Sequence, residues 1–140
     1  MFNYSLRTKI ILAAMLIIAI VGLVFLLRYD SSRARDLELV TQAKNLASSF
    51  EVYYDKFNQY PQISQTDVRN ISIISEGGVN KTGQEVYFQK NFEWAGSATV
   101  ASQDNNYVIS FTLDNDWELW SVEADGTCQI RNNVVISCQN

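Results

Sequence analysis

The stretch IILAAMLIIAIVGLVFLL, residues 10–27, decides how the rest of this chain is read. It contains no charged residue. At helical rise it spans roughly 27 Å, close to the thickness of a bilayer's hydrocarbon core. Its one interruption is Gly22, which a membrane helix tolerates. Arg7 and Lys9 stand before it and Arg28 closes it. A soluble protein has no good way to bury apolar side chains on every face of one helix. A cleaved secretory signal calls for a shorter run followed by small residues at a cut site. Here Val24, Phe25, Leu26 and Leu27 lead straight into Arg28, Tyr29 and Asp30. The run from Ile10 to Leu27 therefore reads as a retained transmembrane anchor.

This divides the chain into a polar lead (1–9), a membrane helix (10–27) and a domain (28–140) of a size for one modest core. Asp and Glu number 15 against 11 Lys and Arg, for a net charge of −4. Phosphate binding needs a basic face, so nucleic acid is not indicated. The sequence has no histidine, which removes the commonest catalytic base and metal ligand. No Ser-x-x-Lys, Gly-x-Ser-x-Gly, phosphate loop or dinucleotide fingerprint occurs. No catalytic or cofactor-binding residue is expected, and the chain reads as a non-enzyme.

Cys128 and Cys138 belong to no Cys-x-x-Cys or Cys/His cluster. Joined, they close a small loop and contribute roughly 3 kcal/mol. Arg7 and Lys9 favour a cytoplasmic N-terminus, but Arg28, Arg33 and Arg35 follow the span closely, so charge alone does not fix the orientation. The disulfide decides it, because it places the domain in an oxidising, extracytoplasmic compartment. The expectation is a single-pass cell-membrane protein, cytoplasmic at its N-terminus.

Beyond the span, residues 28–58 lack Pro and Gly. Apolar residues at Leu39, Val40, Ala43, Leu46, Ala47, Phe50, Tyr53, Tyr54 and Phe57 make one helical stripe. Glu38, Lys44, Asn45, Glu51, Asp55 and Lys56 fall on the opposite face. One long helix is predicted, membrane-buried in its first half and covering a soluble core with its second. It stops before Tyr60-Pro61. Residues 62–83 are rich in turn formers, with residues 71–74 as a short strand or helical turn. Strands are predicted at 85–89, 98–101 and 107–113. A further strand at 117–122 is expected to pair with 107–113 across Asp114-Asn115-Asp116. Residues 128–130 and 134–138 are expected to form a last hairpin, closed by the disulfide. The fold class is α+β: a long N-terminal helix packed on a small antiparallel β-sheet.

This order of features resembles the type IV pilin and type II secretion pseudopilin family. The resemblance is carried by the membrane helix running into an amphipathic one, by Arg35, Asp36 and Val40, and by Phe50, Tyr53-Tyr54 and the Tyr60-Pro61 stop. Residues 107–113 (YVISFTL) and 124–128 (ADGTC) are similar to the family's sheet and C-terminal loop. The resemblance implies a pilus- or secretion-type filament whose subunits meet through their N-terminal helices, with the lipid bilayer as the other partner. Family precursors carry a Gly cut site followed by Phe and, a few residues on, a Glu. Here Phe2 follows Met1, Leu6 stands where the Glu is expected, and no acid precedes Asp30. The chain is thus divergent from the prepilin processing pattern. The alternative is an uncleaved single-pass protein whose outer domain is a binding or adhesion module.

The family also implies a calcium loop near the C-terminus. Asp114, Asn115, Asp116 and Asp125 offer the hard oxygen ligands calcium requires, although their spacing matches no known loop motif. As residue types, these acids beside Asn and Gly equally make turns. Asn70-Ile71-Ser72 and Asn80-Lys81-Thr82 match the glycosylation triplet, which the bacterial host suggested by the resemblance gives little weight. Trp117 and Trp120 differ by three, so in a regular strand they face opposite sides, one towards the core and one outward.

Overall fold

The computed structural model describes residues 6–103 and 105–139. Most of the polar lead, residues 1–5, lies outside the described residues. Helix α1, Leu6–Phe57, is one element of 52 residues. The chain forms two compact units, the first ending at Ala34 and the second beginning at Arg35.

In the first unit nothing interrupts the helical ladder. The hydroxyls of Ser31 and Ser32 donate to the carbonyls of Arg28 and Tyr29 at 2.9 and 3.0 Å. Bonding back in this way lets a serine sit inside a helix without recapping it. The guanidinium of Arg33 lies 5.1 Å above the Tyr29 ring.

In the second unit α1 is amphipathic. Leu39, Val40, Ala43, Leu46, Ala47, Phe50 and Tyr53 are buried on one stripe. After Phe57 the chain turns at Asn58, which adopts φ +53° while its amide donates to the Tyr54 carbonyl at 2.7 Å. A left-handed residue just past the last turn is a common helix stop, and Asn tolerates it well.

Eight strands follow: β1 (Ile63–Asp67), β2 (Ile73–Ser75), β3 (Gly78–Val79), β4 (Val86–Gln89), β5 (Ala98–Gln103), β6 (Asn106–Thr112), β7 (Thr127–Arg131) and β8 (Val135–Gln139). They make a five-stranded sheet in the order β1-β5-β6-β7-β8 and a three-stranded one in the order β3-β2-β4. All pairings are antiparallel. Register lines up the inward residues in rows. Val100 faces Ile109, Ile109 faces Ile130, and Ile130 faces Ile136. These rows and the helical stripe share one core. Phe50 meets Tyr107 edge-on at 5.1 Å between ring centres. Each such side chain contributes about 1.5–3 kcal/mol on full burial. Gly96 brings its loop against α1, since a Cβ there would lie 2.8 Å from Leu39 Cδ2.

Four expectations are corrected. Residues 117–122 do not form a strand paired with 107–113. Trp117 and Val122 bridge each other, a 3-10 turn (Glu118–Trp120) lies between them, and β6 pairs with β5 and β7 instead. The cause is the end of β6, where the Leu113 amide donates to the Gly126 carbonyl and its carbonyl accepts from Asp125, so β7 takes the neighbouring position. Trp117 and Trp120 consequently lie side by side, their rings 5.3 Å apart and both partly buried. The turn-rich stretch 62–83 holds β1 and β3 as well as β2, which overlaps the short strand or helical turn expected at 71–74. Glu51, assigned to the solvent face, points instead at two tyrosine hydroxyls.

Candidate functional site

Two features stand apart from ordinary core packing: the apolar segment of α1 and the acidic loop after β6. Every side chain from residue 12 to residue 27 is exposed. Single apolar residues on a surface need no explanation, but a contiguous patch of this extent marks a lipid or protein contact surface. The helix is long and apolar enough to cross a membrane. Gly22 has no atom within 4 Å of the place a Cβ would occupy, so nothing described in the chain fills that notch. Of the two anchor ends, Leu27 is exposed, and Ile10 is placed only by its backbone within α1.

The second feature is organised by Asp36, which is 3% exposed. Its Oδ1 accepts from the Asp114 amide at 3.0 Å. Its Oδ2 accepts from the Asn115 amide (3.0 Å), Asn115 Nδ2 (2.8 Å) and Trp117 Nε1 (3.0 Å). A buried carboxylate is tolerable only when its lone pairs are satisfied in this way. The adjacent Arg35 reaches Asp114 at 2.9 Å, an exposed pair worth little by itself. Asp36 thus ties the loop after β6 to the helix. Although Asp36 carried part of the family resemblance, its role was not anticipated. A signal was present, because Asp36 precedes Leu39, Val40 and Ala43 by three, four and seven residues and so lies on the core stripe.

Gln42, also buried on α1, works similarly. Its Nε2 donates to the Glu93 carbonyl at 3.1 Å and its Oε1 accepts from the Ala95 amide at 3.0 Å. Further along, Glu51 accepts from the Tyr107 hydroxyl at 2.9 Å and from the Tyr60 hydroxyl at 3.2 Å. Burial, aided by the Glu51 charge, pushes the Tyr60 hydroxyl up to about 12. Burial and the bond to Glu51 push Tyr107 upward as well.

The calcium candidates do not converge. Asp114 is paired with Arg35, and Asp116 accepts from the Ala124 amide at 2.7 Å. Asp125 adopts φ +62° in a turn, its amide donating to the Leu113 carbonyl at 2.8 Å. Among the described residues no group of three or more His, Cys, Asp or Glu is placed to hold a metal ion. These acids stitch turns. Asn80 is likewise structural: its Nδ2 donates to the Asn70 carbonyl at 2.7 Å, and its Oδ1 accepts from the Ser72 amide at 2.8 Å.

Cys128 and Cys138 form a disulfide, directly opposite each other in the β7–β8 register with Cα atoms 4.0 Å apart. It ties edge strand β8 to its neighbour. An open groove lies beside the bulge in β1, lined by polar residues such as Gln62, Ser64, Gln65 and Asn106.

Compared with known proteins, the chain matches no family model, no curated protein and no solved structure.

Proposed function

We propose that this chain is a membrane-anchored, pilin-like subunit of a type IV pilus or type II secretion-type filament. The observation that carries this reading is the single helix α1, apolar and exposed on all sides in residues 12–27 and buried on one stripe beneath an antiparallel sheet in its second half. An unpartnered apolar helix needs lipid or other such helices around it. A filament built on packed copies of residues 10–27 would supply both in turn, with the sheet domain left on its surface. The Cys128–Cys138 disulfide supports a domain outside the cytoplasm, with the N-terminus inside. No residue is assigned a catalytic role.

One observation favours a second reading. No acid precedes Asp30, so the glutamate expected at a prepilin cut site is missing. An uncleaved single-pass protein with an outer binding or adhesion domain fits that departure.

Intact mass separates the two. The protein is recovered from native membranes and from sheared surface filaments, with and without reductant. A trimmed mass in filaments supports the subunit reading. A full-length mass confined to membranes overturns it in favour of the binding module. Free cysteines in freshly recovered protein would sink the outside placement.

A further inference from the structure

Strand β8 differs from the rest of its sheet. In β5, β6 and β7 every second side chain is buried, giving the rows that form the core. In β8 none is buried. Ile136 and Cys138 continue the inward row but stay half-exposed, and Val135, Ser137 and Gln139 are exposed. The strand rests on β7 and on the 3-10 turn Glu118–Trp120, and no element follows it among the described residues. An edge strand with so little burial has low local stability, because a ladder open to water on one side separates easily.

The turn that leads into β8 is strained. Val134 closes the 3-10 turn Asn132–Val134 with φ +57°. Left-handed backbone brings Cβ close to the following carbonyl, and a β-branched residue rarely adopts it. The β7–β8 ladder begins at the next residue, Val135 opposite Arg131, so the closed hairpin holds Val134 there. Against this stands one covalent bond. Cys138, near the end of β8, is joined to Cys128, which is fully buried in β7.

We infer that the Cys128–Cys138 disulfide is a redox latch on β8: its reduction lets the strand and its turn peel from β7 while the helical stripe and the other strands stay folded. A dithiol reductant supplies the chemistry. Its thiolate attacks the sulfur of Cys138, the more accessible partner, the S–S bond breaks, and Cys128 leaves as a thiolate. The second thiol of the reductant then closes its own disulfide and releases Cys138, so two electrons and two protons pass to the cysteines. Opening leaves β7 at the edge of the sheet, with Cys128 and Ile130 deprived of the residues they face in β8. The latch belongs to the sheet domain and operates whether or not the chain assembles.

The test is hydrogen exchange, read by mass spectrometry on the full-length chain in detergent with and without dithiothreitol, followed by brief alkylation with iodoacetamide. Reduction should speed exchange across residues 132–139 on the order of a hundredfold, the loop-closure contribution of the bond expressed as a ratio. Peptides from β5, β6 and residues 39–53 of α1 should stay protected. Alkylation should label Cys128 and Cys138 at similar rates, although Cys128 is buried while β8 is in place. Continued protection of residues 132–139 after reduction, or labelling of Cys138 without Cys128, overturns the inference. Loss of protection in β5 and β6 as well also overturns it, because the bond would then hold the whole domain and not one strand. Cys138→Ser should show the open pattern without reductant, and a closed pattern in that variant rules the latch out.

Discussion

From residue 12 to residue 27, helix α1 exposes every side chain, whereas between Leu39 and Tyr53 it buries one stripe and leaves Lys44 and Asn45 outside. Both halves belong to one hydrogen-bonded helix, so backbone propensity does not distinguish them. The arrangement of apolar residues does. A stripe of Leu39, Ala43, Leu46 and Phe50 can be matched by one sheet face. A run that is apolar on all sides has no single face to offer, and its stabilising environment must surround it. The second half is thus completed by its own chain and the first by something outside it.

The largest effect is expected where the stripe meets the sheet. Phe50→Ala should cost about 3–5 kcal/mol, because it removes a fully buried ring and leaves a cavity beside Tyr107. Chemical denaturation of the intact protein in detergent reads this directly. A cost well under this would mean that helix and sheet are not one core. Ile18→Lys breaks the other side of the comparison. It should disfavour membrane insertion by about 3 kcal/mol, seen as protein lost from the membrane fraction. Stability of the residue 35–139 core should stay unchanged. A fall in its unfolding midpoint would dissolve the distinction between the halves.

Asp36→Ala should cost about 2 kcal/mol by stranding the donors of Asp114, Asn115 and Trp117. Tryptophan fluorescence would report the loosened loop alongside the shifted midpoint. Retained fluorescence and midpoint would deny Asp36 its organising role.

The smallest effect concerns pH. The hydroxyls of Tyr60 and Tyr107 hold their protons more tightly in the folded protein than in the unfolded chain. Above pH 10, roughly the unperturbed tyrosine value, the unfolded state releases those protons first. Stability present below that pH is therefore lost as pH rises towards about 12, the value reached by Tyr60. Tyr107→Phe should cost about 1 kcal/mol at neutral pH and flatten this alkaline fall. An unchanged alkaline limb would show that the Glu51 contacts contribute nothing to it.

The parts of the fold legible in the sequence are those fixed by neighbours in the chain. The apolar run and the three-and-four spacing after Leu37 specify the helix and the length over which it continues. Alternation in residues 107–113 specifies β6, and the spacing of Cys128 and Cys138 around Arg131-Asn132-Asn133 is consistent with the β7–β8 hairpin. Periodicity of this kind is local, because a side chain's direction follows from its own backbone. What the tertiary structure alone decided were the partnerships. Residues 117–122 have the composition of a strand, yet a strand needs a neighbour, and β7 holds the place beside β6. The polar residues Gln42 and Glu51 show no distinctive local pattern, and the spacing of Asp36 shows only that it lies on the core stripe, not what it binds. Their roles appear only when distant amides, an indole and two hydroxyls arrive to satisfy them, since a buried polar atom is stable only where its partners converge.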